Sequence, residues 1–207
     1  PSDQELASIQ QTLLEGNQLR LEDDTAGLEK AVTLARSVLT KDERNEQAAV
    51  LGFEVSSRLI YWFGVNTSWP QVADEFNNRL SFIQQKNGVV ASTANVSRAK
   101  AWKSLSVDDL PTAIIELKSS SESNPENSFI LEWLQWRQSG ERLDLAKRVP
   151  APAGRLYEFL LAQMDLNKIQ LSRLGQAGYL PAEVAHFILE RPTHESIGAA
   201  EILSERV

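Results

Sequence analysis

The chain has 207 residues, of which 42% are hydrophobic and 24% are charged, and its formal net charge is −7. These values are typical of a globular domain, and the acidity disfavours nucleic acid and anionic membranes as partners, because binding them usually requires a basic face. The absence of cysteine excludes disulfides, thiol catalysis and the common zinc fingers. The sequence also lacks a run of about 18 apolar residues, so we expect no direct membrane insertion.

Hydrophobic residues recur at intervals of three and four rather than in strict alternation, which predicts an all-α protein. Prolines separate the apolar stripes, where they can begin or follow a helix without interrupting it. The pattern predicts roughly eleven or twelve helices, with successive helices packed as antiparallel neighbours.

The first four predicted helices form two pairs. Asp24 or Thr25 is expected to cap the second helix. The third is expected over 46–63, and the fourth follows Ser68, with Pro70 in its first turn. The residues expected to face the core are Leu6, Ile9, Leu13 and Leu14 in the first helix, Leu28, Ala31, Val32, Ala35, Val38 and Leu39 in the second, and Val72, Phe76, Leu80 and Ile83 in the fourth.

The second half of the chain continues the same pattern. A short helix is predicted around Trp102, and Asp108 or Asp109 is expected to cap the next one. Another helix is predicted from near Ser128, followed by a brief helix that ends before Pro150. The remaining helices are predicted at about 152–164, 166–174, 181–190 and 194–205.

A small residue recurs about every 40 residues in the second helix of successive pairs, at Ala31, Ala73 and Ala113. A small side chain at a helix crossing lets the two backbones approach closely. The recurrence therefore indicates stacked helical hairpins.

These features resemble the tetratricopeptide repeat (TPR) family. Residues 94–127 have about the length of one repeat, with small residues at Ala101 and Ala113 and Pro125 at the closing turn, and Leu51-Gly52 resembles the family's Leu-Gly pair. The resemblance covers residues 12–149, although Trp102 does not occupy the family's tryptophan position and 64–68 form an insertion. Sel1-like hairpins, other alpha-solenoids and an irregular helical bundle are the alternatives.

The resemblance implies a TPR-like alpha-solenoid of hairpins over about 5–149, with capping or degenerate helices over about 150–207. We expect residues 1–207 to form a single helical repeat domain. Because the chain begins with Pro1, we expect it to be a fragment of a larger protein.

Members of this family generally bind an extended peptide or a helix of another protein in a concave groove. The resemblance implies that Phe53, Asn95, Arg98 and Trp102 line such a groove here. The last three share one helical face, where an amide, a guanidinium and an indole suit a peptide backbone, a carboxylate and an apolar side chain. The alternative is that Trp102 belongs to the core and Arg98 is its solvated neighbour.

Two further aromatic groups are candidates for partner binding. Trp133 and Trp136 lie on one helical face beside Arg137, which suits an aromatic groove with a cationic rim, although core packing between hairpins is the alternative. The second group surrounds the insertion, either as an exposed interaction site or as a plug against the hairpins. Its members are Tyr61, Trp62, Phe63 and Trp69.

The sequence contains no recognised catalytic motif, and we predict neither an enzyme nor a cofactor. Glu183, His186 and Glu190 share a helical face near His194, but this set lacks the second Glu-x-x-His unit of a di-iron site, so no metal is predicted. Residues 178–206 weakly resemble a helix-turn-helix, but the acidic residues of the second helix would repel phosphate, so capping helices of the solenoid are the preferred interpretation. The pairs at 23–24 and 108–109 are expected to be acidic helix starts without a catalytic role.

The predicted function is a protein–protein interaction module, acting as a scaffold, adaptor or targeting domain that binds another protein or peptide. The alternative is a sensory or regulatory domain that holds a small molecule between hairpins. We expect a monomer or a weak homodimer, and the composition is compatible with either the cytoplasm or a bacterial periplasm.

Overall fold

A computed structural model describes residues 2–64, 67–87, 93–141 and 148–190. Over these ranges the protein is all-α, as predicted, with ten α-helices, one short 3-10 helix and no strand. The helix predicted at 194–205 and most of the brief helix before Pro150 lie outside the described residues. The helices are α1 (Asp3–Glu22), α2 (Thr25–Lys41), α3 (Glu46–Phe63), α4 (Trp69–Asn87), α5 (Thr93–Ser106), α6 (Leu110–Lys118), α7 (Pro125–Ser139), α8 (Arg155–Met164), α9 (Lys168–Gln176) and α10 (Leu180–Glu190).

Several helices begin at an Asn or Asp whose side chain accepts a backbone hydrogen bond from the first turn. Asp24 caps α2, Asn45 caps α3 and Asp109 caps α6 in this way. Asn124 caps α7, which begins at Pro125 and therefore earlier than the predicted start near Ser128. Polar caps and prolines thus set most of the helix boundaries.

Helices α1 to α4 share the first of two hydrophobic clusters. Helix α2 packs against α1 and α3, while α3 also packs against α4 and α5. The predicted core residues of α2 and α4 are buried, except that Leu39 is partly exposed. Of the predicted core residues of α1, Ile9 and Leu13 are buried, on the same side of the helix as the buried Gly16 and Arg20. The prediction was wrong for Leu6 and Leu14, which are 43% and 67% exposed.

Helices α3 and α4 pack tightly at a glycine of α3. A Cβ atom added at Gly52 would lie 2.2 Å from the ring of Phe76, so the glycine provides the space that the ring fills. The small residues Ala31, Ala73 and Ala113 are fully buried, as expected for positions at helix contacts.

The C-terminal half of α5 and helices α6 to α10 form the second cluster, while Val96 and Ala99 of α5 belong to the first. Helix α8 contacts both α7 and α1, so the C-terminal helices return to the N-terminal helix. Trp62 packs against both clusters, with its ring centre 6.1 Å from that of Trp102 and 5.6 Å from that of Phe159. None of the described helices has the length and apolar character needed to cross a lipid bilayer.

Candidate binding site

Arg98, expected from the sequence to face a groove, lies inside the protein. Its Nε donates to Oε2 of Glu54 at 3.0 Å, and its Nη1 lies 3.4 Å from Oε2 of Glu126. The residue is 3% exposed, which differs from both expectations for it, a groove contact and a solvated neighbour. It belongs to a set of paired charges, called here the buried ion network, which consists of Arg20, Asp23, Glu54, Arg58, Arg98 and Glu126.

Glu54 of α3 is the centre of the buried ion network. Its Oε1 accepts hydrogen bonds from Nη2 of Arg58 at 2.5 Å and from Nη1 of Arg20 at 3.1 Å, while Oε2 accepts from Arg98. Burial alone would raise the pKa of this carboxyl, but the three arginine charges outweigh burial and hold the pKa well below its usual range. Glu54 is therefore ionised at neutral pH.

Asp23 has a different role from the one predicted for it. Asp24 caps α2, but Asp23 ends α1 with a φ of 55°, and its side chain is fully buried. Its Oδ1 accepts from Nη1 of Arg58 at 2.8 Å, and its Oδ2 accepts from the Tyr179 hydroxyl at 2.6 Å. Burial raises the pKa of Asp23 although Arg58 opposes it, because one arginine does not outweigh the loss of solvent.

Glu126, in the first turn of α7, connects the network to α8. Nη1 and Nη2 of Arg20 bind its two carboxylate oxygens at 2.8 and 3.1 Å, and the Tyr157 hydroxyl donates to one of them. Burial opposes ionisation, but the bond and charge of Arg20, followed by the charge of Arg98, lower the pKa of Glu126 to about 2.

The buried ion network places three arginines against three carboxyl groups. It joins α1, α3, α5 and α7 to the C-terminal helices through Tyr157 and Tyr179. The Nε of Arg58 makes no hydrogen bond, but its guanidinium carbon lies 5.3 Å from the ring centre of Trp102. A ligand would have to displace these paired charges, so the network fits a role in holding the helices together.

Sequence reasoning missed most of this network, although one signal marks it. Glu54 and Arg58 are an i,i+4 pair of opposite charge, and they are the only charged residues of α3 after its first residue, Glu46. Charges in such a position are almost always paired within the core. Their partners on α1, α5 and α7 are visible only in the folded chain.

The other residues predicted to bind a partner fall into two groups. Phe53 and Trp102 are buried, so a partner could not touch them without separating helices, whereas Trp133 is 1% exposed but lines a pocket. Asn95 is half-buried and lines a small cavity of about 170 Å³ between α1, α3 and α5, together with Arg98. Trp136 and Arg137, in contrast, lie at the surface of α7.

Trp136 and Arg137 line a larger open pocket of about 550 Å³ between the C-terminal end of α3, α7 and the end of α8. We call it the aromatic pocket. The residues that line it are Tyr61, Trp133, Trp136, Arg137, Gly140, Gln163 and Leu166. The sequence identified four of these seven as candidates, Tyr61 in one aromatic group and Trp133, Trp136 and Arg137 in the other. The pocket brings the two groups together with residues at the end of α8.

Arg137 is held at the rim of the aromatic pocket by aromatic rings. Its Nη1 donates to the Tyr61 hydroxyl at 2.6 Å, and its guanidinium carbon lies 5.1 Å from the ring centre of Trp133. Burial raises the pKa of Tyr61, and the charge of Arg137 opposes this shift. Within the described part of the chain, Arg137 forms no ion pair, and its side chain is exposed.

Two further residues shape the pocket. The indole Nε1 of Trp133 donates to Oε1 of Gln163 at 3.0 Å, which directs the amide nitrogen of Gln163 away from the ring. Leu166 has a φ of 51°, a left-handed conformation that is strained for a leucine, and its side chain is 41% exposed. The pocket therefore combines a cation, an amide donor and apolar surface.

The residues considered for a metal site are only partly described. Glu183 and His186 lie on α10, while the Glu190 side chain and His194 fall outside the described residues. Among the residues that the structure does describe, no group of three or more metal-ligating side chains is found.

The described residues form an all-α protein with an open pocket lined by aromatic side chains. No protein-family model matches the chain, and no curated protein or solved structure shows significant similarity to it.

Proposed function

We propose that this protein is a protein–protein interaction module whose contact surface is the aromatic pocket. The observation that carries the proposal is Arg137, an exposed guanidinium held over two aromatic rings without a carboxylate partner in the described chain. Trp, Tyr and Arg are the residues that contribute most to binding energy at protein interfaces, and all three are present here.

The contrast with the other arginines supports this assignment. Arg20, Arg58 and Arg98 each form ion pairs with carboxylates inside the protein. Among the described residues, Arg137 makes a single hydrogen bond, to Tyr61, which orients the guanidinium without neutralising it. An oriented and unneutralised cation beside apolar surface is suited to binding rather than to stability.

At the level of the fold, we propose that α1 to α7 are degenerate TPR-like hairpins. Support comes from the pairing of successive helices, from the contacts that α3 makes with α1 and α5, and from the buried small residues Ala31, Ala73 and Ala113. The proposed contact surface is not the concave groove that the family uses, because Phe53, Arg98 and Trp102 are buried there.

The test is selection of a random displayed-peptide library on the full chain, followed by titration of the selected peptides. We expect Trp136→Ala to weaken binding at least about tenfold, since it removes the exposed part of the aromatic wall. Phe82→Ala is the matched control, because Phe82 is an exposed aromatic residue on α4 outside the pocket. Equal binding to wild type and Trp136→Ala would remove the pocket from the proposal.

A small-molecule regulatory domain is the second candidate function. The volume of about 550 Å³ lies within the usual range of small-molecule sites. If the library returns no peptide while small aromatic carboxylates shift the NMR signals of the Trp133 and Trp136 indoles, this second function replaces the first.

A further inference from the structure

We propose that the aromatic pocket selects acidic peptide segments, in which an Asp or Glu lies next to an apolar side chain. The inference rests on the proposed function and names the partner's chemistry. Arg137 is the residue that would bind the carboxylate, and Leu166 and Trp136 would contact the apolar side chain.

Charge is the first argument for an acidic segment. Arg137 is the one charged residue among the described residues that line the pocket, and it has no carboxylate partner there. A guanidinium presents paired N–H donors that match the two oxygens of a carboxylate. Its bond to Tyr61 and its stacking on Trp133 restrict the orientation of the guanidinium before a ligand arrives, which reduces the entropy lost on binding.

The apolar wall of the pocket is the second argument. Leu166 is held in a left-handed conformation with 41% of its surface exposed, so neither its backbone nor its side chain favours leucine in the free protein. Trp136 of α7, which lines the same pocket, is only partly buried. These two side chains place apolar surface next to Arg137, as required for a ligand that carries an acid beside an apolar group.

A peptide is favoured over a nucleic acid or a membrane as the source of the negative charge. The chain carries a net charge of −7, which repels extended polyanions such as a phosphate backbone or an anionic bilayer. A single carboxylate needs only the local charge of Arg137, and the apolar neighbour supplies the remaining contact. The pocket also offers the Gln163 amide as a donor to a peptide carbonyl.

The experiment compares two blocked tripeptides, acetyl-Leu-Glu-Leu-amide and acetyl-Leu-Gln-Leu-amide, which differ only in charge. Each is titrated into the full chain at low salt, with the NMR signals of the Trp133 and Trp136 indoles as the readout. We expect the Glu peptide to bind about tenfold more tightly to wild type, as a charge-assisted bond provides. The preference should fall as salt is added, because Arg137 is exposed.

Two variants test whether Arg137 is responsible for the preference for the Glu peptide. Arg137→Gln should bind both peptides equally, with the affinity that wild type shows for the Gln peptide. Arg44→Gln changes the net charge by the same amount at an exposed arginine outside the pocket, and it should keep the full preference for Glu.

The outcomes separate this inference from the proposed function. Equal binding of both peptides to wild type, with both lost in Trp136→Ala, would overturn the acidic selectivity while leaving the interaction module intact. A preference for Glu that persists in Arg137→Gln would also overturn it. If neither peptide nor any library peptide perturbs the two indoles, the interaction module and its selectivity both fail.

Discussion

At the scale of single residues, the protein uses arginine in two different environments. Arg58 is completely buried and bonded to Glu54 and Asp23, whereas Arg36 forms one exposed ion pair with Glu75 at 2.7 Å. The distances are similar, but the energetic consequences of losing each arginine differ, because only the buried carboxylates lack access to water.

We therefore predict that Arg58→Met lowers the free energy of unfolding by about 3–5 kcal/mol, since it leaves Asp23 without a cation and Glu54 with one fewer. Arg36→Met, the matched control, should lower it by less than about 1 kcal/mol. Urea denaturation of both variants measures the difference. Similar losses of unfolding free energy in the two variants would show that the buried ion pairs of Arg58 contribute no more to stability than an exposed ion pair does.

A second prediction at the scale of single residues concerns how the stability of the fold changes at acid pH. The pKa of Glu126 is about 2 in the folded protein against an ordinary value of 4.5, so its ionised form stabilises the fold above about pH 4.5 and this contribution is lost as pH falls towards 2. Glu126→Gln should therefore be less stable than wild type by on the order of 3 kcal/mol at pH 7. The difference between the two proteins should shrink steadily between pH 4.5 and 2.

The raised pKa of Asp23 acts in the opposite direction, since protonation of this buried carboxyl favours the folded state as pH falls. Asp23 is present in both proteins, so its effect largely cancels in the comparison. Chemical denaturation of wild type and Glu126→Gln across this pH range is the measurement, and a difference independent of pH would contradict the assigned pKa.

The third residue-scale prediction concerns the strain at Leu166. Leu166→Gly should raise the free energy of unfolding by about 1 kcal/mol, because glycine adopts the left-handed conformation without the steric penalty of a side chain. Ile169→Gly, a control at a 77% exposed position inside α9, should lower it by about 1 kcal/mol. Thermal denaturation measures the sign of the stability change in each variant. If both variants are less stable than wild type, Leu166 is not strained.

At the scale of helices, the contact between α3 and α4 depends on one missing side chain. Gly52→Ala places a Cβ 2.2 Å from the Phe76 ring, so we predict a loss of about 1–3 kcal/mol in the free energy of unfolding from overpacking. Because alanine otherwise favours a helix, this loss must come from the contact itself. The double variant Gly52→Ala, Phe76→Leu should recover part of the loss relative to Phe76→Leu alone. Additive losses in a double-mutant cycle would contradict a direct clash.

Most helix positions could be predicted from the sequence because caps, prolines and apolar stripes are local signals. The stripe of α4 and the cap at Asp109 are examples that the structure confirms. The burial of Arg98 could not be predicted, because its partners Glu54 and Glu126 lie 44 and 28 residues away in the chain. For the same reason Trp136 and Arg137 could be identified as candidates, but not the pocket, whose other walls come from α3 and α8.

At the scale of the whole molecule, the C-terminal part of the described chain contacts the N-terminal helix. Helix α10 packs mainly on α9, and its connection to the first helix is made by Tyr179, whose hydroxyl bonds Asp23 across 156 positions of sequence. Burial raises the pKa of Tyr179 well above its usual range, so the hydroxyl remains protonated and can donate this bond. The link is therefore long-range but consists of few contacts.

We predict that Tyr179→Phe lowers the free energy of unfolding by about 1–3 kcal/mol, because a buried oxygen of Asp23 loses its donor. Amide hydrogen exchange should accelerate more in α9 and α10 than in α3 and α4, which pack at the centre of the other cluster. Tyr61→Phe is the control, since it removes a hydroxyl bonded only to the exposed Arg137 and should change exchange little. A uniform acceleration of exchange across all helices in Tyr179→Phe would mean that the C-terminal helices unfold only together with the rest of the protein. An acceleration confined to α9 and α10 would show that the bond between Tyr179 and Asp23 holds these helices against the N-terminal helix.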